Sequence, residues 1–237
     1  MKRLTNGPVG SLWRTVTFPL RTSSPLLLTT RRFVTGDVWS ESVTVRAGAG
    51  PRLRFSEIDE VQRPREGFGA LNHRTYRVHI VDSLKEPCEL VEAFRRDPNR
   101  FSPTSFATFV PDPAPEGLGE GATVEVKLPG PWDGPVHVRL VQPERIRFET
   151  LDGHMEAGWI EFRSSKLDGD VTVFEIESFA RSGDEVFDFL YQRLGIGKRV
   201  QTEMWAQVLE SAVTASGGRQ QGRLFIDTVV YQGASRT

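Results

Sequence analysis

Short alternating runs dominate the chain after residue 74. Tyr76, Val78 and Ile80 alternate with Thr75, Arg77 and His79, the period of two expected of a half-buried strand. Leu90, Val91 and Phe94 then share one helical face. Pro87 suits the first turn of that helix and Asp97-Pro98-Asn99 ends it. Six more strands are predicted, at 104–110, 122–128, 136–141, 145–151, 159–164 and 171–179. Pro111-Asp112-Pro113, Pro129-Gly130-Pro131, Gln142-Pro143-Glu144, Asp152-Gly153 and Asp168-Gly169-Asp170 separate strands as turns do. Connections this short leave only antiparallel neighbours.

The facing of these strands is legible too. Val124 and Val126 oppose Glu125 and Lys127; Val136, Val138 and Leu140 oppose His137 and Arg139. Phe148 opposes Arg147 and Glu149, Phe162 opposes Glu161 and Arg163, and Phe174 opposes Glu175. The pattern predicts one wet face and one dry face, and the dry face needs a cover. Ser182-x-x-Glu185 has the form of a capping box. Beyond it, Val186, Phe187, Leu190 and Leu194, then Val200, Met204, Trp205, Val208, Leu209 and Ala212, form the stripe of a long helix ending at Ser216-Gly217-Gly218. Gly195-Ile196-Gly197 predicts a kink or break within it.

The flanks are predicted as β-rich: Thr15-Val16-Thr17-Phe18, Leu26-Leu27-Leu28, Phe33-Val34 and Val43-Thr44-Val45 before the sheet, and 224–231 after it. Leu53-Arg54-Phe55 suggests a further strand inside a 47–69 connection. The expected organisation is therefore an N-terminal β-rich extension and linker at 1–73, a main domain at 74–217, and a C-terminal strand and tail at 218–237. The terminal strand is expected to pair with the N-terminal ones in a small flanking sheet.

Composition narrows the function. Thirty Lys and Arg against 31 Asp and Glu give no electrostatic case for nucleic acid. The longest apolar run, around Leu26-Leu27-Leu28, is too short for a membrane span. The N-terminal Leu4-Thr5-Asn6-Gly7-Pro8 is too polar for a secretory signal. One cysteine, Cys88, excludes an internal disulfide and suits a cytoplasmic protein. His73, His79, His137 and His154 are scattered without metal-ligand spacing, and neither Gly117-x-Gly119-x-Gly121 nor Gly197-Lys198 completes a phosphate loop. No cofactor is expected.

The order of strand, short helix, six strands and long helix resembles the helix-grip fold of the START-like (SRPBCC) superfamily. The similarity tightens over 145–209, where Thr150-Leu151-Asp152-Gly153-His154-Met155-Glu156-Ala157-Gly158 resembles the Thr-Leu-x-Gly-His-x-Glu-x-Gly turn of an uncharacterised bacterial and plant branch. The resemblance implies an α+β fold, a curved antiparallel sheet around a long C-terminal helix with extra β segments at both ends. It carries over no chemistry.

Small-molecule pockets are apolar with a few converging polar groups. Tyr76, Thr150, Tyr191 and Gln201 are the polar candidates, and Val126, Leu140, Phe148, Phe162 and Phe174 the apolar lining. His154 and Glu156 form a candidate acid–base pair, although a polar pair in a turn also serves to satisfy backbone groups. Three readings stay open: a non-catalytic binder of a small apolar or amphipathic molecule, lipid or aromatic; a cyclase- or dehydratase-type enzyme; and an interaction module whose cup is filled by Phe148, Phe162, Phe174 and Trp205. The enzyme requires ionisable groups inside the cup, of which the pattern shows almost none. Self-association through the flanking β segments is a further expectation.

Overall fold

A nine-stranded sheet carries the chain, in the order β1-β9-β2-β8-β7-β6-β5-β4-β3. The structure is a computed structural model and describes residues 39–103, 105–112, 117–128, 134–183 and 196–233. The strands are β1 (Trp39–Ala47), β2 (Phe68–Val81), β3 (Thr108–Asp112), β4 (Thr123–Lys127), β5 (Gly134–Gln142), β6 (Arg145–Thr150), β7 (Glu156–Leu167), β8 (Val171–Ser182) and β9 (Arg219–Gln232). Helix α1 is Pro87–Arg96 and helix α2 is Ile196–Ser216. All pairings are antiparallel except β1 with β9, which is parallel. The fold is α+β, a curved sheet gripping a long helix.

Alternation decides which side chains face α2. Tyr76, Val78, Ile80, Val124, Val138, Ile146, Phe148, Phe162, Phe174 and Ile176 are all buried on the inner face and pack with Met204, Val208, Leu209 and Ala212 of the helix. Pro87 opens α1, whose Leu90, Val91 and Phe94 join the same core. Gly217, at φ +72°, lets the chain leave α2 in the left-handed conformation that glycine adopts freely. The Ser216 hydroxyl accepts from the Gly218 amide at 2.9 Å, and β9 begins at once.

Several expectations are corrected. Ser182 is the last residue of β8; Glu185 and the capped helical start predicted there lie outside the described residues, as do the segments at 15–18, 26–28 and 33–34. Of the interruption expected at Gly195-Ile196-Gly197, Gly195 is likewise outside them, whereas Ile196 and Gly197 belong to α2. Leu53-Arg54-Phe55 forms no strand. The C-terminal strand does pair with β1, but as part of the main sheet, because its other edge binds β2. β2 itself begins at Phe68 and so runs across the expected 73/74 boundary.

The outer face is not simply wet. Leu53 and Phe55 of the 47–69 connection pack on Leu71, Trp159 and Phe179. Around them charged groups pair across the strands: Arg147 with Glu161 at 2.8 Å, Arg163 with Glu177 at 2.8 Å and with Glu175, Arg77 with Glu175 at 2.5 Å, and His73 with Glu177 at 2.7 Å. Glu149 accepts from the amide and hydroxyl of Ser56. A strap formed by residues 50–63 therefore lies over the strands behind the cup. Among the described residues, no helix is long and apolar enough to cross a membrane.

Candidate functional site

One end of the cup is solid. Phe94 stacks on Phe162 with ring centres 4.3 Å apart and meets Phe101 edge-on at 5.5 Å, and Phe101 stacks on Phe174 at 6.2 Å. The other end, under the first half of described α2, is hollow. A cavity of about 170 Å³ opens there. Its apolar wall includes Phe106, Phe109, Val126, Phe148, Phe162 and Trp205, and its polar groups include Thr150, His154, Glu156 and Gln201.

The polar end is built by the turn between β6 and β7. The β6–β7 ladder stops at Glu149 and Trp159, so the peptide groups of β7 before that point need other partners. Two side chains supply them. The Gly158 amide donates to Thr150 Oγ1 at 2.9 Å, and the hydroxyl lies 3.1 Å from the Gly158 carbonyl and 3.2 Å from that of Gln62. The Glu156 amide donates to His154 Nδ1 at 2.8 Å. Gly153, at φ +90°, makes the tight turn between them, closed by the His154 amide on the Leu151 carbonyl at 3.0 Å. A Cβ at Gly158 would overlap the Phe179 carbonyl oxygen, so β7 and β8 meet this closely only with glycine there. The run from Thr150 to Gly158 is thus a hairpin sealed by side chains.

The strap fastens the same turn from outside. Gln62 donates its amide to Thr150 O at 2.8 Å and its side-chain amide to Gly183 O at 3.3 Å, and Asp152 donates its amide to Glu60 O at 2.8 Å.

Glu156 turns its carboxyl inward. Gln201 Nε2 of α2 donates to both carboxyl oxygens at 3.2 Å, and Gln201 Oε1 accepts from the guanidinium of buried Arg74 on β2. Burial pushes the Glu156 carboxyl above its ordinary range, against the opposing pull of Arg74 and the Gln201 bond. Burial also holds His154 down to about 4, so the ring is neutral near pH 7. Tyr76 sits behind this group, its hydroxyl pushed up by burial while bonds to Arg74 and Thr202 work against the shift.

The expected lining is thus partly assembled. Val126, Phe148, Thr150, Phe162 and Gln201 border the cavity, as do His154 and Glu156. Tyr76 and Phe174 are buried in the core and do not border it. Leu140 is a correction: a bulge between Val138 and Leu140 pairs it with Arg147, which turns it to the outer face beside Phe55 and Arg139. Val141 takes its place against the core. Tyr191 lies outside the described residues. The acid–base pair is also reshaped, because His154 bonds the backbone of Glu156 while the carboxyl goes to Gln201. Arg74 is absent from the expected set although its spacing from Tyr76 places it on the dry face; a charged residue in an apolar row was the available signal. Cys88 is free and exposed. Among the described residues, no three His, Cys, Asp or Glu side chains gather as metal ligands would.

No protein-family model matches the chain, and no curated protein matches it in sequence. Solved structures do. A hypothetical protein of Helicobacter pylori aligns with 60% of this chain and 86% of its own, at 9% identity and a TM-score of 0.46. Norcoclaurine synthase of Thalictrum flavum aligns with 62% of this chain and 98% of its own, at 12% identity and a TM-score of 0.43. The di-domain aromatase/cyclase StfQ of the steffimycin biosynthetic pathway aligns with 65% of this chain, at 11% identity and a TM-score of 0.45. This chain spans 52% of the length of StfQ.

Proposed function

We propose that the protein binds a small apolar or amphipathic molecule in the hollow end of its cup and releases it unchanged. The observation that carries this reading is the cavity of about 170 Å³, walled by aromatic and aliphatic side chains, with polar groups gathered at one end. Apolar cavities of this order stay dry and accept apolar guests, and a few fixed polar groups orient what enters. The START-like resemblance of the turn and helix agrees with a binding role.

A completely filled cup is disfavoured, since Phe148, Phe162 and Trp205 border an open space. An enzyme of the cyclase or dehydratase type is the second reading. It is favoured by one observation: two ionisable groups, His154 and Glu156, border the cavity together. Against it stands the occupation of His154 Nδ1 by a backbone amide, which leaves no side-chain relay to Glu156.

Native mass spectrometry of the freshly purified chain tests both. A 1:1 bound mass that is recovered chemically unchanged after incubation is the expected result. Recovery of an altered molecule replaces the binding reading with the enzymatic one. No retained mass, together with no quenching of tryptophan fluorescence across a panel of small aromatic and aliphatic probes, overturns both.

A further inference from the structure

The same cavity says more about its guest, an inference that rests on the binding reading above. We infer that the site takes a neutral single-ring aromatic alcohol, its hydroxyl seated between His154 Nε2 and the Glu156 carboxyl.

Size comes first. A cavity of about 150 Å³ accommodates benzene, so the present one, about 170 Å³, holds one ring and a small substituent. Phe106, Phe109, Phe148, Phe162 and Trp205 at its border offer ring faces and edges suited to an aromatic guest.

Hydrogen-bond polarity then selects the substituent. The Gly183 amide donates to Met155 O at 2.7 Å across the β7–β8 ladder. In an antiparallel ladder the next residue, Glu156, points its peptide groups the other way, toward His154. Nδ1 lies 2.8 Å from the Glu156 amide nitrogen and 2.9 Å from its carbonyl oxygen. Orphaned buried N–H groups are rarer than under-satisfied carbonyls, so Nδ1 accepts and the ring proton resides on Nε2. Among the described residues Nε2 has no hydrogen-bond partner, and the imidazole borders the cavity. Gly134 makes room for it, since a Cβ there would stand 2.9 Å from Nε2.

Beside the Ser178 hydroxyl, the cavity therefore presents a donor, His154 Nε2–H, and an acceptor, the Glu156 carboxyl, both of whose oxygens also receive Gln201 Nε2. A hydroxyl accepts from the first and donates to the second. An ammonium has no lone pair for His154, a carboxylate meets Glu156 with no Lys or Arg among the described lining residues, and a bare ring leaves both groups without partners.

The test is calorimetric titration of the full chain with 4-methylphenol, toluene, benzylamine and benzoate. Binding of 4-methylphenol at least tenfold tighter than each of the others is expected. His154→Asn retains an amide acceptor at the Nδ1 position but has no Nε2, so its preference for 4-methylphenol over toluene falls to threefold or less. Should that variant fail to fold, the His154 ring nitrogens of the unaltered protein give the same answer by ¹⁵N NMR: 4-methylphenol moves the Nε2 signal and toluene does not. Equal binding of toluene and 4-methylphenol, a preference that survives in a folded His154→Asn, or an unmoved Nε2 signal overturns the inference and leaves the binding reading intact. Failure of all four probes to bind overturns the inference; if the purified protein also retains no other mass, the binding reading falls with it.

Discussion

Replacing Thr150 with Val isolates the side-chain seal of the β6–β7 turn. Valine keeps the shape of threonine, so the packing of a residue that is only 4% exposed is preserved and the hydroxyl alone is lost. The Gly158 amide, 2.9 Å from Oγ1, then has no acceptor, a loss of about 1–3 kcal/mol for a stranded buried donor. The hydroxyl proton also leaves the carbonyls of Gly158 and Gln62, worth about 1 kcal/mol for the one bond it makes at a time. The added methyl returns roughly 0.8 kcal/mol of apolar burial. The net expectation is a loss of about 2 kcal/mol, or roughly 4–8 °C in Tm for a chain of this length. Urea unfolding followed by far-UV circular dichroism should show a lower midpoint with an unchanged slope. Thr150→Ser serves as the control: it keeps the hydroxyl, loses a methyl and costs about 1 kcal/mol. A Thr150→Val protein as stable as wild type, or more stable than Thr150→Ser, refutes the seal.

Gly158→Ala forces a Cβ against the Phe179 carbonyl and is expected to cost about 3 kcal/mol or more, read as a lower urea midpoint. Glu161→Ala strands Arg147 on the outer face and should cost about 2–3 kcal/mol, nearly independent of salt, whereas Lys166→Ala at an exposed pair should stay within about 0.5 kcal/mol. The pH dependence follows from His154. Its folded-state value of about 4 lies below the ordinary value of roughly 6.5, so the unfolded chain binds the proton more readily. Stability is fully present above the ordinary value and is lost as pH falls toward 4. For a half-buried ring that loss is about 1–2 kcal/mol between pH 7 and 5. His154→Asn should flatten the decline in urea midpoint over that interval, and an equally steep decline in the variant counts against His154 as its source. Glu156, raised by burial, has the opposite sign: its ionisation costs stability as pH rises through its ordinary range.

Much of the sheet was legible because one face is apolar on nearly every strand. Register then follows, since a slip by one residue exposes Phe148, Phe162 or Phe174 together with its neighbours. What periodicity misses is where the period changes. The bulge after Val138 adds one residue, so Leu140 continues the alternation in sequence and leaves it in space. The polar end of the site was half visible. His154, Glu156, Thr150 and Gln201 were singled out by residue type, yet the partner of each depends on where β6 stops pairing with β7, a long-range fact. Arg74 escaped because it stands one alternation before the apolar row it belongs to.

The strap from residue 50 to residue 63 bears on how such a chain can be shortened. A fragment cut at residue 74 to match the helix-grip segment would begin inside β2 and lose Gln62, Glu60 and Ser56, which bond Thr150, Asp152 and Glu149. Glu149, almost wholly enclosed, would then face solvent on the outer face with Trp159 and Phe179. The turn that holds His154 would keep its internal bonds and those to Pro135, Gly183 and Gln201, but lose its bonds to the strap. Residues ahead of the helix-grip segment thus brace the turn beside the cavity from the outer face, and trimming them removes support from a part of the cup they do not line.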